Sequence, residues 1–210
     1  MALDIVMIGG ADVDEENRDD PEFAILVRYI RENFPGETQV QIGETGEACK
    51  DGHQVGTYSH LHVLRGLAIL LEKNGPAAVA RMSEDDFEQA AEFFYAREPS
   101  ATRYSHLIDH QDDRGYYVPF ELPEPVAVEA KLAGRNEPLL ITVGSSKALL
   151  RELDELNAVL EMPGDAGELG KVNFEKVSSA HSWPIAAHVW GVLRLYARES
   201  AERYLYVRFC

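Results

Sequence analysis

No purely apolar run in this chain exceeds five residues, Leu67–Leu71 being one of that length. A bilayer-spanning helix needs about 20, so the apolar residues must be buried in a water-soluble core. They fall into short segments of two kinds. Some alternate with period two, as half-buried strands do, and others recur at helical spacing. That interleaving limits the fold more than any other property of the sequence.

The period-two segments come first and last. Leu3–Ile8 is rich in β-branched and apolar residues and stops at Gly9-Gly10, and Tyr204–Phe209 closes the chain in the same way. Between them, Tyr116, Val118 and Phe120 alternate before Pro123 and Pro125. Leu139–Val143 forms a compact apolar strand, and Gln39–Ile42 is a short candidate. Helices are expected in the intervals. Asp20-Pro21 is a cap and first-turn pair leading into Phe23, Leu26, Val27, Ile30 and Phe34, with Pro35-Gly36 as the stop. From about Ser59, Leu61, Leu64, Ala68 and Leu71 share a stripe that ends at Asn74-Gly75-Pro76. Ser83 precedes Phe87, Ala90, Ala91 and Phe94. Gly144-Ser145-Ser146 turns into a Leu-rich helix reaching about Leu160, and Ser182 with Pro184 opens a helix through Ile185, Val189, Val192, Leu193 and Tyr196.

The expectation is an α+β fold: a single domain over residues 1–210, with four to five helices packed on a mixed sheet. An α/β fold is the alternative, disfavoured because long right-handed crossover units do not recur regularly. Two segments read as loops. One is acidic, residues 9–20, and the other, residues 43–57, holds glycines 43, 46, 52 and 56.

Charge narrows the function. The chain has 36 Asp and Glu against 20 Lys and Arg, a formal net charge of −16. Binding phosphates takes clustered cations, so this balance disfavours a nucleic-acid ligand and equally an anionic membrane. A basic protein or a metal cation suits it better. The net charge is −9 over residues 1–57, −10 over 58–170 and +3 over 171–210. The acidity is densest at the front, so Asp12, Asp14, Glu15, Glu16, Asp19 and Asp20 are the first candidates for contact with a basic partner. Asp112 and Asp113 are the second. A solvated loop that keeps the protein soluble is the simpler reading of the same residues. The opening residues lack the basic and apolar regions of a signal peptide, and Cys49 and Cys210 have no CxxC partner. A reducing cytoplasm is therefore expected.

Histidines offer the main route to an enzyme. Tyr58-Ser59-His60-Leu61 is echoed by Tyr104-Ser105-His106-Leu107, with His62 and His110 following. On a helix, His106 and His110 would share a face. With His60, Asp109 and Asp113 they form a candidate zinc or manganese site for a metal-dependent hydrolase. Against this, His60 and His62 point to different sides of any regular element, and no His-Glu-x-x-His motif occurs. Histidines that cap helices or hydrogen-bond locally explain the same residues. His181, His188, Trp183 and Trp190 suit the packing of an amphipathic helix. The order Ser146, Asp165, His181 matches a hydrolase triad, but Ala148 replaces the final glycine of the nucleophile elbow, and only 64 residues follow Ser146. The calcium-loop pattern from Asp12 fails at Asn17 and Phe23.

Several phrases together resemble an uncharacterised bacterial and phage family. They are Met1-Ala2-Leu3-Asp4-Ile5, Gly56-Thr57-Tyr58-Ser59, His106-Leu107-Ile108-Asp109-His110 and Gly115-Tyr116-Tyr117-Val118-Pro119. Ala2, Thr57 and Arg114 depart from the family's usual residues. The resemblance implies a cytoplasmic bacterial protein, often encoded near mobile elements or toxin loci, and carries no established activity.

The expected function is that of an acidic cytoplasmic binding protein, immunity- or antitoxin-like, that neutralises a cationic toxin or nuclease. No catalytic residue and no cofactor is assigned on this reading. The hydrolase with zinc or manganese is the enzymatic alternative. An oligomerising module, its mildly basic C-terminal segment meeting a neighbour's acidic front, is a third.

Overall fold

The computed structural model describes residues 2–8, 21–37, 53–79, 92, 94–96, 101–112, 114–131, 137–161 and 184–209. Strand β1 (Ala2–Ile8) sends Leu3, Ile5 and Met7 to one face and Val6 and Ile8 to the other, and both faces meet apolar neighbours. The remaining strands are β2 (His53–Thr57), β3 (Gly115–Val118), β4 (Val126–Ala130), β5 (Leu139–Ser145) and β6 (Tyr206–Phe209). They form one six-stranded sheet in the order β2-β1-β6-β3-β5-β4. β3 and β5 run parallel; all other neighbours are antiparallel. The fold is thus a single-domain α+β arrangement on a mixed sheet.

The helices are α1 (Pro21–Asn33), α2 (Tyr58–Asn74), the short α3 (Pro76–Val79) and α4 (Ser105–Ile108), α5 (Ser146–Leu160) and α6 (Pro184–Arg203). α1 covers one face of the sheet, where Phe23, Leu26 and Ile30 pack with Tyr116, Val118, Ile141 and Val143. α2, α5 and α6 cover the other, burying Leu64, Leu67, Leu153, Trp190 and Leu193 against Leu3, Ile5, Tyr117 and Val207. A sheet covered on both sides needs apolar residues at successive positions. All four residues of β3 are accordingly buried. No described helix is long and apolar enough to cross a membrane.

Two local differences from the sequence reading have physical causes. Residues 53–57, expected as the end of a glycine-rich loop, form β2, because the edge of β1 offers a pairing partner that no local pattern reveals. β4 also escapes the pattern: its Glu129 is exposed and only Ala130 is buried, as befits an edge strand. Ser145 caps α5, its Oγ accepting the Ala148 N–H at 3.1 Å. The expected segments at 39–42 and 83–91, with Asp20, Ser182 and Trp183, lie outside the described residues.

Candidate functional site

The middle of α2 is buried from Leu61 to Leu71, and Arg65 is its one charged residue. A buried guanidinium must find acceptors for its N–H groups. Arg65 Nε donates to the Leu107 carbonyl at 2.7 Å and Nη2 to the His110 carbonyl at 2.6 Å, while Nη1 pairs with the Asp112 carboxylate. His62, one helical turn earlier, meets the other oxygen of Asp112 through Nε2. Its Nδ1 lies 2.5 Å from the Tyr95 hydroxyl, and its ring stacks on Phe94 with centroids 4.5 Å apart. Burial alone would raise the Asp112 pKa; the hydrogen bond from His62 and the Arg65 charge outweigh it and hold the carboxyl below its usual value.

The same 104–112 segment is held from the other side by α5. Glu152 accepts the N–H of His106 at 3.0 Å and that of Leu107 at 2.8 Å. It is only 7% exposed, and burial pushes its carboxyl up to about 7, against the pull of those two N–H groups.

The histidines expected as metal ligands sit inside this frame. His106 Nδ1 accepts the Ser145 N–H at 3.0 Å, so Nε2 carries the proton and donates to the Leu122 carbonyl at 3.1 Å. His110 stacks on Tyr117 at 4.1 Å, with Nδ1 2.8 Å from the Gln111 carbonyl and Nε2 3.3 Å from that of Tyr116. Burial lowers the pKa of both, that of His110 to about 4. α4 ends at Ile108, which places His110 beyond the helix that was to align it with His106. His60 sits at the start of α2, its ring beside Gly56 and its pKa lowered by burial and by His188. Asp109 is exposed. Among the described residues, no three His, Cys, Asp or Glu side chains converge as a metal site would require.

Of the residues expected to meet a partner, Asp112 is described, and it engages His62 and Arg65 inside the protein. Asp12, Asp14, Glu15, Glu16, Asp19, Asp20 and Asp113 lie outside the described residues. The sequence reading missed a second carboxylate-bearing region. An open cleft of about 670 Å³ is lined by Glu121, Glu124, Glu152 and Glu155, together with Arg103, Arg151 and His106. Arg151 forms a bidentate pair with Glu121 at 2.6 and 2.8 Å, and Arg103 pairs with Glu155 at 2.6 Å. Glu72 stands nearby, accepting from the Thr102 hydroxyl and the Arg103 N–H. Glu72, Glu121, Glu124, Asp154 and Glu155 are all exposed. Their regular return along α5 and the 121–124 turn was the available signal, hidden because exposed glutamates on a helix ordinarily only solubilise it.

Of the candidate triad, Ser146 is described, and Asp165 and His181 lie outside the described residues. The Ser146 hydroxyl is buried and 2.5 Å from that of Ser200, which donates onward to the Leu205 carbonyl. Trp190 is core, its Nε1–H donating to the Leu153 carbonyl.

A surface of fixed carboxylates over a rigid frame can present negative charge to a basic cleft without being a nucleic acid. No curated protein and no solved structure matches the chain. A family model described as "Putative DNA-mimic protein" matches residues 1–209, and the chain belongs to that family.

Proposed function

We propose that the protein is a non-catalytic binder whose carboxylates occupy the nucleic-acid-binding cleft of a basic protein in the cytoplasm, as an immunity or antitoxin protein does to a toxin or nuclease. The observation that carries this reading is the match of nearly the whole chain to a DNA-mimic family in a protein of net charge −16. Phosphate-binding clefts are lined by Lys and Arg, and ordered carboxylates complement that field while steering encounter. The acidic front, Asp12, Asp14, Glu15, Glu16, Asp19 and Asp20, supplies the densest charge. Around α5, the exposed Glu72, Glu121, Glu124, Asp154 and Glu155 outnumber the arginines paired with them and supply a second, weaker patch.

The test is displacement. Proteins from a host extract are loaded on immobilised DNA, and micromolar pure protein is passed over them. Release of a restricted set, beyond that released by polyglutamate of equal charge, is the expected result. Direct titration of a released protein should then show affinity falling with salt, and reversing four of the six front acids to lysine should abolish it. Release no better than polyglutamate, or binding unchanged by the reversal, would refute the proposal.

A further inference from the structure

His62, Asp112 and Tyr95 have the arrangement of a base-activated nucleophile. Helical spacing puts His62 and Arg65 on neighbouring positions of α2, where both reach Asp112. A carboxylate only accepts, so the His62 Nε2 facing it carries a proton, and in the neutral ring Nδ1 then presents its lone pair. Nδ1 lies 2.5 Å from the Tyr95 oxygen, and in that neutral tautomer the phenol is the donor. Stacking on Phe94 and the Asp112 contact fix the ring's plane and tautomer. The accessibilities also differ: the His62 side chain is 8% exposed, whereas Tyr95 is 65% exposed. A nucleophile, a base within hydrogen-bond reach and a third group orienting the base are the parts that activate a hydroxyl.

We propose that Tyr95 is an acyl-acceptor site for neutral activated esters and thioesters, with His62 taking its proton and Asp112 acting as a positioning residue. The phenol proton moves to His62 Nδ1 as the phenol oxygen bonds to the acyl carbon. The tetrahedral adduct then expels its alcohol or thiol leaving group, which recovers the proton from the imidazolium. The products are an ester on Tyr95 and the free alcohol or thiol. The net charge of −16 selects against anionic donors such as nucleoside triphosphates. This inference does not depend on the proposed partner, since the site needs only the folded chain.

The experiment uses p-nitrophenyl acetate with the full chain, and N-acetyltyrosinamide in the same tube as the unassisted phenol. Acetylation of Tyr95 is followed by peptide mass spectrometry from pH 6 to 10. Positioned general bases contribute about 10²–10⁴-fold, so Tyr95 should react at least ~100-fold faster than the reference at neutral pH. Its rate should level off well below pH ~10, where a free phenol ionises. His62→Gln should bring it to the reference rate, and Asp112→Asn should lower it while moving the pH at which it levels off. Reaction at the reference rate, climbing steadily towards pH 10, would overturn the proposal, as would an undiminished rate in folded His62→Gln. Should that variant fail to fold, the pH profile of the unaltered chain decides alone.

Discussion

Glu152 should make the fold less stable as pH rises through neutrality, which is unusual for a carboxylate that accepts two backbone N–H groups. Its ordinary value of 4.5 is raised to about 7 by burial. Below 4.5 the folded and unfolded chains both hold the proton, and stability is at its full value. Between 4.5 and 7 the unfolded chain releases the proton while the folded one keeps it, so stability falls by about 1.4 kcal/mol per pH unit. Above 7 both forms are ionised and the loss levels off. Worked for these two values, the change between pH 5 and pH 8 is about 2.5 kcal/mol. Many other carboxylates titrate in the same range, so the unaltered chain alone does not isolate the effect. Glu152→Gln does. Its amide offers one acceptor where the carboxylate offers two, so the N–H of His106 or of Leu107 loses its partner. That cost, about 1–3 kcal/mol, does not vary with pH. Urea unfolding of both chains at several pH values should therefore give a stability difference that shrinks, in disfavour of the native glutamate, by about 2.5 kcal/mol from pH 5 to 8. A difference constant to within about 0.5 kcal/mol would show that Glu152 ionises normally in the fold, and that the two N–H groups offset burial.

Removing the Arg65 guanidinium by Arg65→Met leaves the Leu107 and His110 carbonyls without their side-chain donor and Asp112 with His62 alone, and should cost about 3–5 kcal/mol in urea unfolding. Combining it with Asp112→Asn should cost less than the two singles added, because they break one network. Gly115 has φ +147°, and a Cβ there would lie 2.5 Å from the Thr142 carbonyl oxygen and 2.8 Å from His110 Cε1. Gly115→Ala should therefore destabilise by about 1–3 kcal/mol or more in thermal unfolding. Gly36→Ala, with nothing within 4 Å, should be near neutral.

The sequence announced those elements whose signal is local. β1, α1, α2, β5, α5 and α6 follow apolar periodicities that a period of two or 3.6 makes visible. β2 and β4 do not, because an edge strand owes its existence to the neighbour it pairs with, and Val126–Ala130 keeps only a weak alternation. At the site, the histidines were visible but their roles were not. Two imidazoles four residues apart align only on a helix, and α4 stops at Ile108, where the Leu107 and His110 carbonyls turn to Arg65. The clue was the single arginine within the apolar Leu61–Leu71 stretch. Such a residue demands acceptors, and the nearest polar sequence able to supply them was the one read as a metal site.

The acidity and the frame make opposite demands, and salt separates them. Arg65 with Asp112, Arg208 and Arg114 with Glu22, Arg194 with Asp154, Arg151 with Glu121 and Arg103 with Glu155 join cations to carboxylates across elements. Pairing removes no charge, so the surplus of −16 is untouched and rests on the acids that outnumber the cations. Like charges at that density repel and weaken the compact state. Raising ionic strength from 0.01 to 0.15 M shortens the screening length from about 30 to about 8 Å, which relieves that repulsion while leaving the buried Arg65–Asp112 pair little changed. Thermal stability should therefore rise with salt. Capture of a basic partner should weaken over the same range, because the field that destabilises the fold is the one that attracts the partner. A melting temperature that falls with salt would mean that surface ion pairs, not surplus carboxylates, dominate the electrostatics of the fold, and the argument from net charge to partner would lose its footing.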